Sequence, residues 1–273
     1  MKVIILFFFI LLFPLFIVAQ SFGYIRYYAK YDLVTAPLKV SDDYAEYETE
    51  DAWLYFNDTA SLFRQRLNAT TTQLRRTGNG EVIKNVVMRP GYKNLDTIGA
   101  LYYRTNEKDT FLCRENFSFS RETYYFYKDR FQHIDWKISN EKKSIGKFVC
   151  QKATAFAYGR NWEVWFTSEI PISIGPWKLF GLPGAILEAQ DTSKKFIFLF
   201  REISLPDILG YDSISMFSQK LNNKFMSKEE FIAFYNKKKE ERKSYILSIL
   251  GEGGGSGSVA FHEEIEQYNL IAK

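Results

Sequence analysis

From residue 175 to residue 188 the chain reads Gly-Pro-Trp-Lys-Leu-Phe-Gly-Leu-Pro-Gly-Ala-Ile-Leu-Glu. Proline fixes φ and glycine admits φ > 0. Gly175, Pro176, Gly181, Pro183 and Gly184 therefore impose one loop shape on this stretch. Trp177, Leu179, Phe180 and Leu182 lie between them and need a core or a ligand to cover them. Leu182-Pro183-Gly184-Ala185 has the sequence of a type II turn, with Gly184 at the place that requires positive φ. The expectation is a tight corner between two strands that sends its apolar side chains into the core. The alternative makes the corner the rim of a cleft or a partner-binding face.

The flanks of this corner read as strands. Lys147 to Tyr158 alternates, with Phe148, Cys150, Thr154, Phe156 and Tyr158 on one parity. Trp162 to Thr167 alternates again, and 158–161 forms the turn between the two runs. Residues 184–190 and 195–203 form another pair around Asp191-Thr192-Ser193-Lys194. Upstream, strands are expected near 21–31, 52–57, 61–67, 100–105, 110–117, 123–127 and 134–138. Residues 70–94 read as a long polar connection. Consecutive hairpins of this kind predict a mainly β (α+β) fold, a curved antiparallel sheet with one C-terminal helix. That helix spans about 227–250: Ser227 and Glu230 have capping-box spacing. Residues 236–244 are polar all round, so that part of the helix projects into solvent.

The two ends read differently from the middle. Lys2, the apolar run from Val3 to Val18 and the small residue Ala19 form a signal peptide over 1–19, with a retained N-terminal anchor as the alternative. The run is about 16 residues, short of the roughly 20 that a membrane span needs. Residues 20–250 then form one domain, and 251–273 a Gly/Ser linker and tail. The mature chain has no transmembrane segment in this reading. It is exported to the periplasm or the outer-membrane-associated envelope, with secretion as the other destination. Cys113 and Cys150 are the two cysteines, and export makes them a disulfide candidate against two buried thiols.

Several motifs follow one another in a recognisable order: Trp136-Lys137-Ile138, Ile145 to Ala153, Gly159-Arg160, Trp165-Phe166-Thr167, Glu169-Ile170-Pro171-Ile172, Gly175-Pro176-Trp177 and Gly181-Leu182-Pro183-Gly184. On these the chain resembles the GLPGLI family, Bacteroidota-type exported envelope proteins of unknown function, with Ala185 where the family name has leucine. The resemblance covers about 134–200, implies an envelope protein and supplies no catalytic residues. A looser likeness of layout is to the lipoprotein-carrier (LolA-like) half-barrels, which hold acyl chains under a helical lid. An ordinary β-sandwich fits the same alternation.

Composition and motifs exclude more chemistry than they propose. With 36 Lys and Arg against 32 Asp and Glu, charge is too balanced for a nucleic-acid face. His133 and His262 are the two histidines, and neither sits in a nucleophile-elbow or metalloprotease context. No P-loop, dinucleotide fingerprint or calcium loop is present. The reading therefore names no catalytic residue, metal or cofactor. The candidate binding or motif loop comprises Arg160, Trp165, Trp177, Lys178, Phe180, Gly181, Leu182, Pro183 and Gly184, a set that would make a cationic and aromatic platform. The 25 Phe and 18 Tyr fit either a β-rich core or an aromatic-lined cavity. The expected function is non-enzymatic binding of a lipid or other amphipathic ligand, or of an envelope partner protein. Two alternatives stand beside it: a hydrolase using carboxylates such as Glu163, Glu169, Glu188 and Asp191, and a structural component of an envelope assembly.

Overall fold

The computed structural model describes residues 22–32, 44–67, 70–76, 82–88, 96, 98–105, 108–117, 120–221 and 224–251. The signal-peptide reading of 1–19, the Gly/Ser linker and tail beyond 251, and His262 lie outside the described residues.

Thirteen strands join in one sheet. They are β1 (Gly23–Asp32), β2 (Tyr44–Phe56), β3 (Ala60–Leu67), β4 (Thr70–Arg76), β5 (Val82–Met88), β6 (Ala100–Thr105), β7 (Thr110–Phe117), β8 (Ser120–Arg130), β9 (Lys137–Ile145), β10 (Phe148–Ala157), β11 (Arg160–Thr167), β12 (Ala185–Asp191) and β13 (Phe196–Ser204). Two helices follow, α1 (Ile208–Ser218) and α2 (Lys228–Gly251). The main path runs β8-β7-β6-β3-β2-β1-β13-β12-β11-β10-β9, and β4 and β5 form a hairpin attached to β2. The mainly antiparallel β architecture is as the alternation predicts. Residues 70–94 correct one expectation, because 70–76 and 82–88 pair as strands where the stretch as a whole read as a long connection. α1 is also an addition to the expected elements.

Local chemistry explains the hairpins. At the β2–β3 corner Asn57 Oδ1 accepts from Thr59 N at 2.9 Å and Ala60 N at 2.8 Å, an Asx turn that fixes register. Between β10 and β11, Tyr158 and Gly159 have φ of 53° and 79°, the sense of a two-residue turn that matches strand twist. At α2 the capping box is complete: Glu230 N donates to Ser227 Oγ at 3.1 Å and Ser227 N to Glu230 Oε2 at 2.8 Å.

The path of the chain requires the sheet to roll. β8 and β9 are consecutive in sequence yet occupy opposite edges. Laid flat, ten spacings of about 4.8 Å would hold those edges about 48 Å apart. The link 131–136 spans at most about 25 Å. The edges must approach each other, so the sheet is an open, curved half-barrel. Its concave face gathers Ile25, Tyr27, Leu54, Phe56, Phe63, Trp162, Val164 and Phe198 into the main core. On the convex face α1 covers one half through Ile214 and Phe217, packed with Tyr55, Leu62 and Leu101.

Candidate functional site

The glycine- and proline-rich segment occupies the hollow of the half-barrel. It leaves β11 after Thr167 and rejoins the sheet at Ala185. Backbone hydrogen bonds tie it down at both ends: Ala185 N donates to Ile170 O at 3.0 Å and Ile186 N to Ile174 O at 2.9 Å. Gly181 N donates to Ser173 Oγ at 2.8 Å, Arg104 Nη2 to Ser173 O at 2.9 Å and Trp136 Nε1 to Phe180 O at 2.8 Å. Ile170, Ile174, Trp177, Leu179 and Leu182 are all buried. The tight-corner expectation therefore holds for the loop's role.

The turn within it is a correction. Gly184 has no positive φ; the left-handed positions are Gly181 at φ 102° and Trp177 at φ 56°. Gly184 is required for a different reason. A Cβ there would lie 2.1 Å from Thr167 O, so the constraint is the close approach of β12 to the end of β11. Trp177 is the costlier position, since a bulky residue at φ > 0 stores roughly 1–3 kcal/mol. Its ring is held edge-on to Tyr158 and Tyr102, with centroids at 4.8 and 6.4 Å.

Lys178 is fully buried at 0% exposure. Its Nζ donates to Asp129 Oδ2 at 2.6 Å and to the Tyr127 hydroxyl at 3.0 Å. Tyr127 in turn donates to Glu115 Oε2 at 2.5 Å. Lys228, at the start of α2, reaches the same Asp129 oxygen at 3.1 Å. Around the Lys178 ammonium stand the rings of Tyr127, Trp177, Tyr158 and Tyr102 at 5.2–5.7 Å. Burial pushes the Asp129 carboxyl up, and the charges of Lys178 and Lys228 outweigh it, so its pKa lies below the ordinary value. The cluster joins loop, sheet edge and α2 at one point. An unpaired buried ammonium would be prohibitive, and here it has both an ion partner and ring faces.

The other expected site residues do not form a single platform. Arg160 is buried, 3.4 Å from Asp191 and stacked on Phe196 at 4.2 Å. Trp165 lies half-buried on the opposite, convex face, with Lys143 and Lys152 over its ring at 4.5 and 5.9 Å. Phe180 is partly covered by Phe111, Phe131 and Arg104. Gly181 and Pro183 alone of the loop set are exposed. Alternation separates these residues: Arg160 and Trp165 have opposite parity on β11. Asp129, Tyr127 and Glu115 were missed. Asp129 sits between Lys128 and Arg130 and looks solvated; only its shared parity with Tyr127 could have turned it inward.

The disulfide expectation is corrected as well. Cys113 and Cys150 are free and buried. Cys113 of β7 faces Tyr102 and Tyr127 in its ladders, and Cys150 of β10 faces Lys143. Burial raises the Cys113 thiol to about 12 and the Cys150 thiol to about 11, which makes both poor nucleophiles. The carboxylates considered for hydrolysis are engaged separately. Glu163 pairs with Lys152 at 3.0 Å and Glu188 with Lys143 at 2.5 Å. Glu169 Oε1 accepts from Val149 N at 2.7 Å, and Asp191 Oδ1 from Phe196 N at 2.8 Å. Glu163 and Glu188 lie on the open convex face rather than in a cleft. Among the described residues no group of three or more His, Cys, Asp or Glu could hold a metal ion. A pocket of about 140 Å³ lies beside Cys150, Gln151 and Glu169. It is too small for a drug-sized ligand, whose sites run from about 300 Å³ upward.

Residues 158–188, the stretch that supplies the β10–β11 turn, β11 and the whole plug, match the family model Porph_ging, described as a protein of unknown function. The GLPGLI-type resemblance read from the sequence is thereby borne out. In structural terms the Porph_ging segment is the loop that fills the half-barrel together with the two strands that hold it. No curated protein matches the chain. Two solved structures of PNGF-II, in space groups P21 and C2, are similar at 13% and 12% identity. They cover 77% and 76% of this chain, with TM-scores of 0.41 and 0.42. The match spans 31% of each of those chains.

Proposed function

We propose that the chain is an exported envelope protein that acts by binding rather than by covalent chemistry, and that its ligand is a partner protein. The supporting observation is the filled hollow. Moving the loop aside would expose Ile170, Ile174, Trp177, Leu179 and Leu182, at about 1.5–3 kcal/mol each. Their sum is comparable with the whole stability of a domain. It would also strip Asp129 of Lys178. A lipid would have to displace this plug, whereas a partner can use a face that is already open.

That face is the convex side of β9–β13, beyond the cover of α1. Phe156 is 64% exposed and Leu199 39%. Half-buried Trp165 lies among them with the Lys143–Glu188 and Lys152–Glu163 pairs. Apolar anchors within a charged surround are the anatomy of a protein interface.

The test uses the chain expressed with its N-terminal leader. The expected product is a mature protein in the envelope fraction, lacking residues 1–19 by N-terminal sequencing and carrying no lipid in native mass spectrometry. A photo-crosslinker at Phe156 should give a discrete protein adduct, while one at exposed Ser215 on α1 should not. Copurified lipid that is lost on mutating the 168–184 loop would overturn the reading in favour of an amphipathic ligand.

A further inference from the structure

The Lys178–Asp129 pair differs from the other ion pairs of β9–β13 in what surrounds it. Lys143–Glu188 and Lys152–Glu163 lie on the convex surface within reach of water. Arg160–Asp191 is buried, but a guanidinium stays protonated and is no nucleophile. Lys178 and Asp129 are both buried, and so are the rings of Tyr102, Tyr127, Tyr158 and Trp177 that wall the ammonium. Phe231 of α2 stacks on Tyr127 at 4.0 Å between ring centroids. Holding two full charges in such a place is costly, and a neutral product of the same two groups relieves that cost.

The hydrogen bonds around the pair have a direction. Lys178 Nζ donates to the Tyr127 hydroxyl at 3.0 Å, and that hydroxyl donates to Glu115 Oε2 at 2.5 Å. Along this path a proton of Lys178 reaches a carboxylate and leaves a neutral amine. Tyr102 also hydrogen-bonds Glu115, which holds the acceptor at the end of the path. On the far side of the pair Lys228 Nζ donates to Asp129 Oδ2 at 3.1 Å, the same oxygen that Lys178 touches at 2.6 Å. A cation there draws electrons from the carboxyl group and favours loss of that oxygen. The amine is already in contact with the carboxyl group it faces, as a near-attack arrangement requires.

We propose that Lys178 and Asp129 condense, without another enzyme, into an amide that joins the plug loop to β8. The Nζ–Cγ bond forms and the Cγ–Oδ2 bond breaks. One ammonium proton travels through Tyr127 to Glu115 and on to the departing oxygen, a second passes to that oxygen directly, and water leaves. Nothing is oxidised or reduced. An ammonium and a carboxylate become a neutral amide, with Lys228 still balancing Glu115. The reactant is the ionic cluster described above, in which Asp129 still titrates. The ring of aromatic side chains keeps out the water that would reverse the step. The bond closes a loop between residues 49 apart in sequence, so it fixes the plug in the hollow as a disulfide would. This chemistry is confined to the chain itself and is separate from whatever the convex face binds.

The test follows the mature chain, made by cell-free synthesis and sampled over time at neutral pH, by intact mass under denaturing conditions. The parent chain should lose the mass of one water, and digestion should give one branched peptide joining the segments around Asp129 and Lys178. Asp129→Asn should lose ammonia instead, because the leaving group is then the amide nitrogen. Lys178→Arg should keep its full mass. Tyr127→Phe and Glu115→Gln should each slow closure by ~100-fold. The double variant should be no slower than either, since both cut one proton path. A parent chain that melts cooperatively yet keeps its full mass after overnight incubation would overturn the proposal, as would a mass loss that yields no branched peptide.

Discussion

Gly184 shows how one residue can be required for a reason its sequence context does not reveal. The Leu-Pro-Gly-Ala string points to a positive φ, yet the constraint is distance: a Cβ would meet a carbonyl oxygen on the neighbouring strand. The two causes predict different mutants. If a dihedral were limiting, a β-branched residue would be far worse than alanine. With the Cβ itself limiting, Gly184→Ala should already destabilise by about 2–3 kcal/mol, and Gly184→Val by little more. Urea denaturation of the two variants distinguishes them, and a near-neutral alanine variant would contradict the close-approach account. Lys178 makes a related point. A lysine beside a tryptophan reads as surface chemistry until the fold surrounds it with aromatic rings and gives it Asp129. Its hydrogen-bond partners Asp129 and Tyr127 lie on β8, 49 and 51 residues away in sequence.

At the scale of elements, the parts legible from the sequence are those whose cause is local. β6 and β7 coincide with the expected 100–105 and 110–117, and α2 begins where the Ser227/Glu230 spacing places it. Periodicity and caps act over a few residues, so a reader of the chain can find them. Ser227→Ala should cost about 1 kcal/mol by removing one arm of the capping box. It should also loosen Lys228, the neighbouring residue that completes the Asp129 cluster. Hydrogen exchange should show faster exchange at the amides of 228–231 than in the parent, with β10–β11 unaffected; uniform protection across both would argue against a local role. The elements that escaped are instructive in the opposite way. β4 is a polar strand that pairs with β2 and with the more apolar β5, and α1 covers one side of a sheet whose existence the local sequence does not announce. Their stability comes from partners elsewhere in the chain, where propensity is a weak guide.

For the whole molecule, the consequence of the buried cluster is a dependence on acid. Asp129 has a lowered pKa, so its contribution to stability is complete above the unfolded carboxyl value of about 3.9 and is lost as pH falls through the lower folded value. Lys178→Met removes the closer of its two cations. The variant should lose about 2–4 kcal/mol near neutrality, the range for breaking a buried pair, reduced because Lys228 remains. Its acid limb should also move to higher pH, since Asp129 then ionises less readily. Urea midpoints between pH 3 and pH 7 measure both effects, and parallel profiles for parent and variant would show that the cluster does not set the acid limb. By itself the sequence determined the β character, the hairpins around their turns, the capped helix and the segment that carries the Porph_ging match. Each of these follows from side-chain alternation or from backbone freedom within a short window. Only the tertiary structure decided that β1 and β13 close the middle of the sheet, that the sheet rolls until its edges meet a six-residue link, and that the motif loop fills the hollow instead of lining it. Those outcomes depend on which distant surfaces bury one another, and a carboxylate on β8 can meet a lysine of the loop only once the sheet has curved.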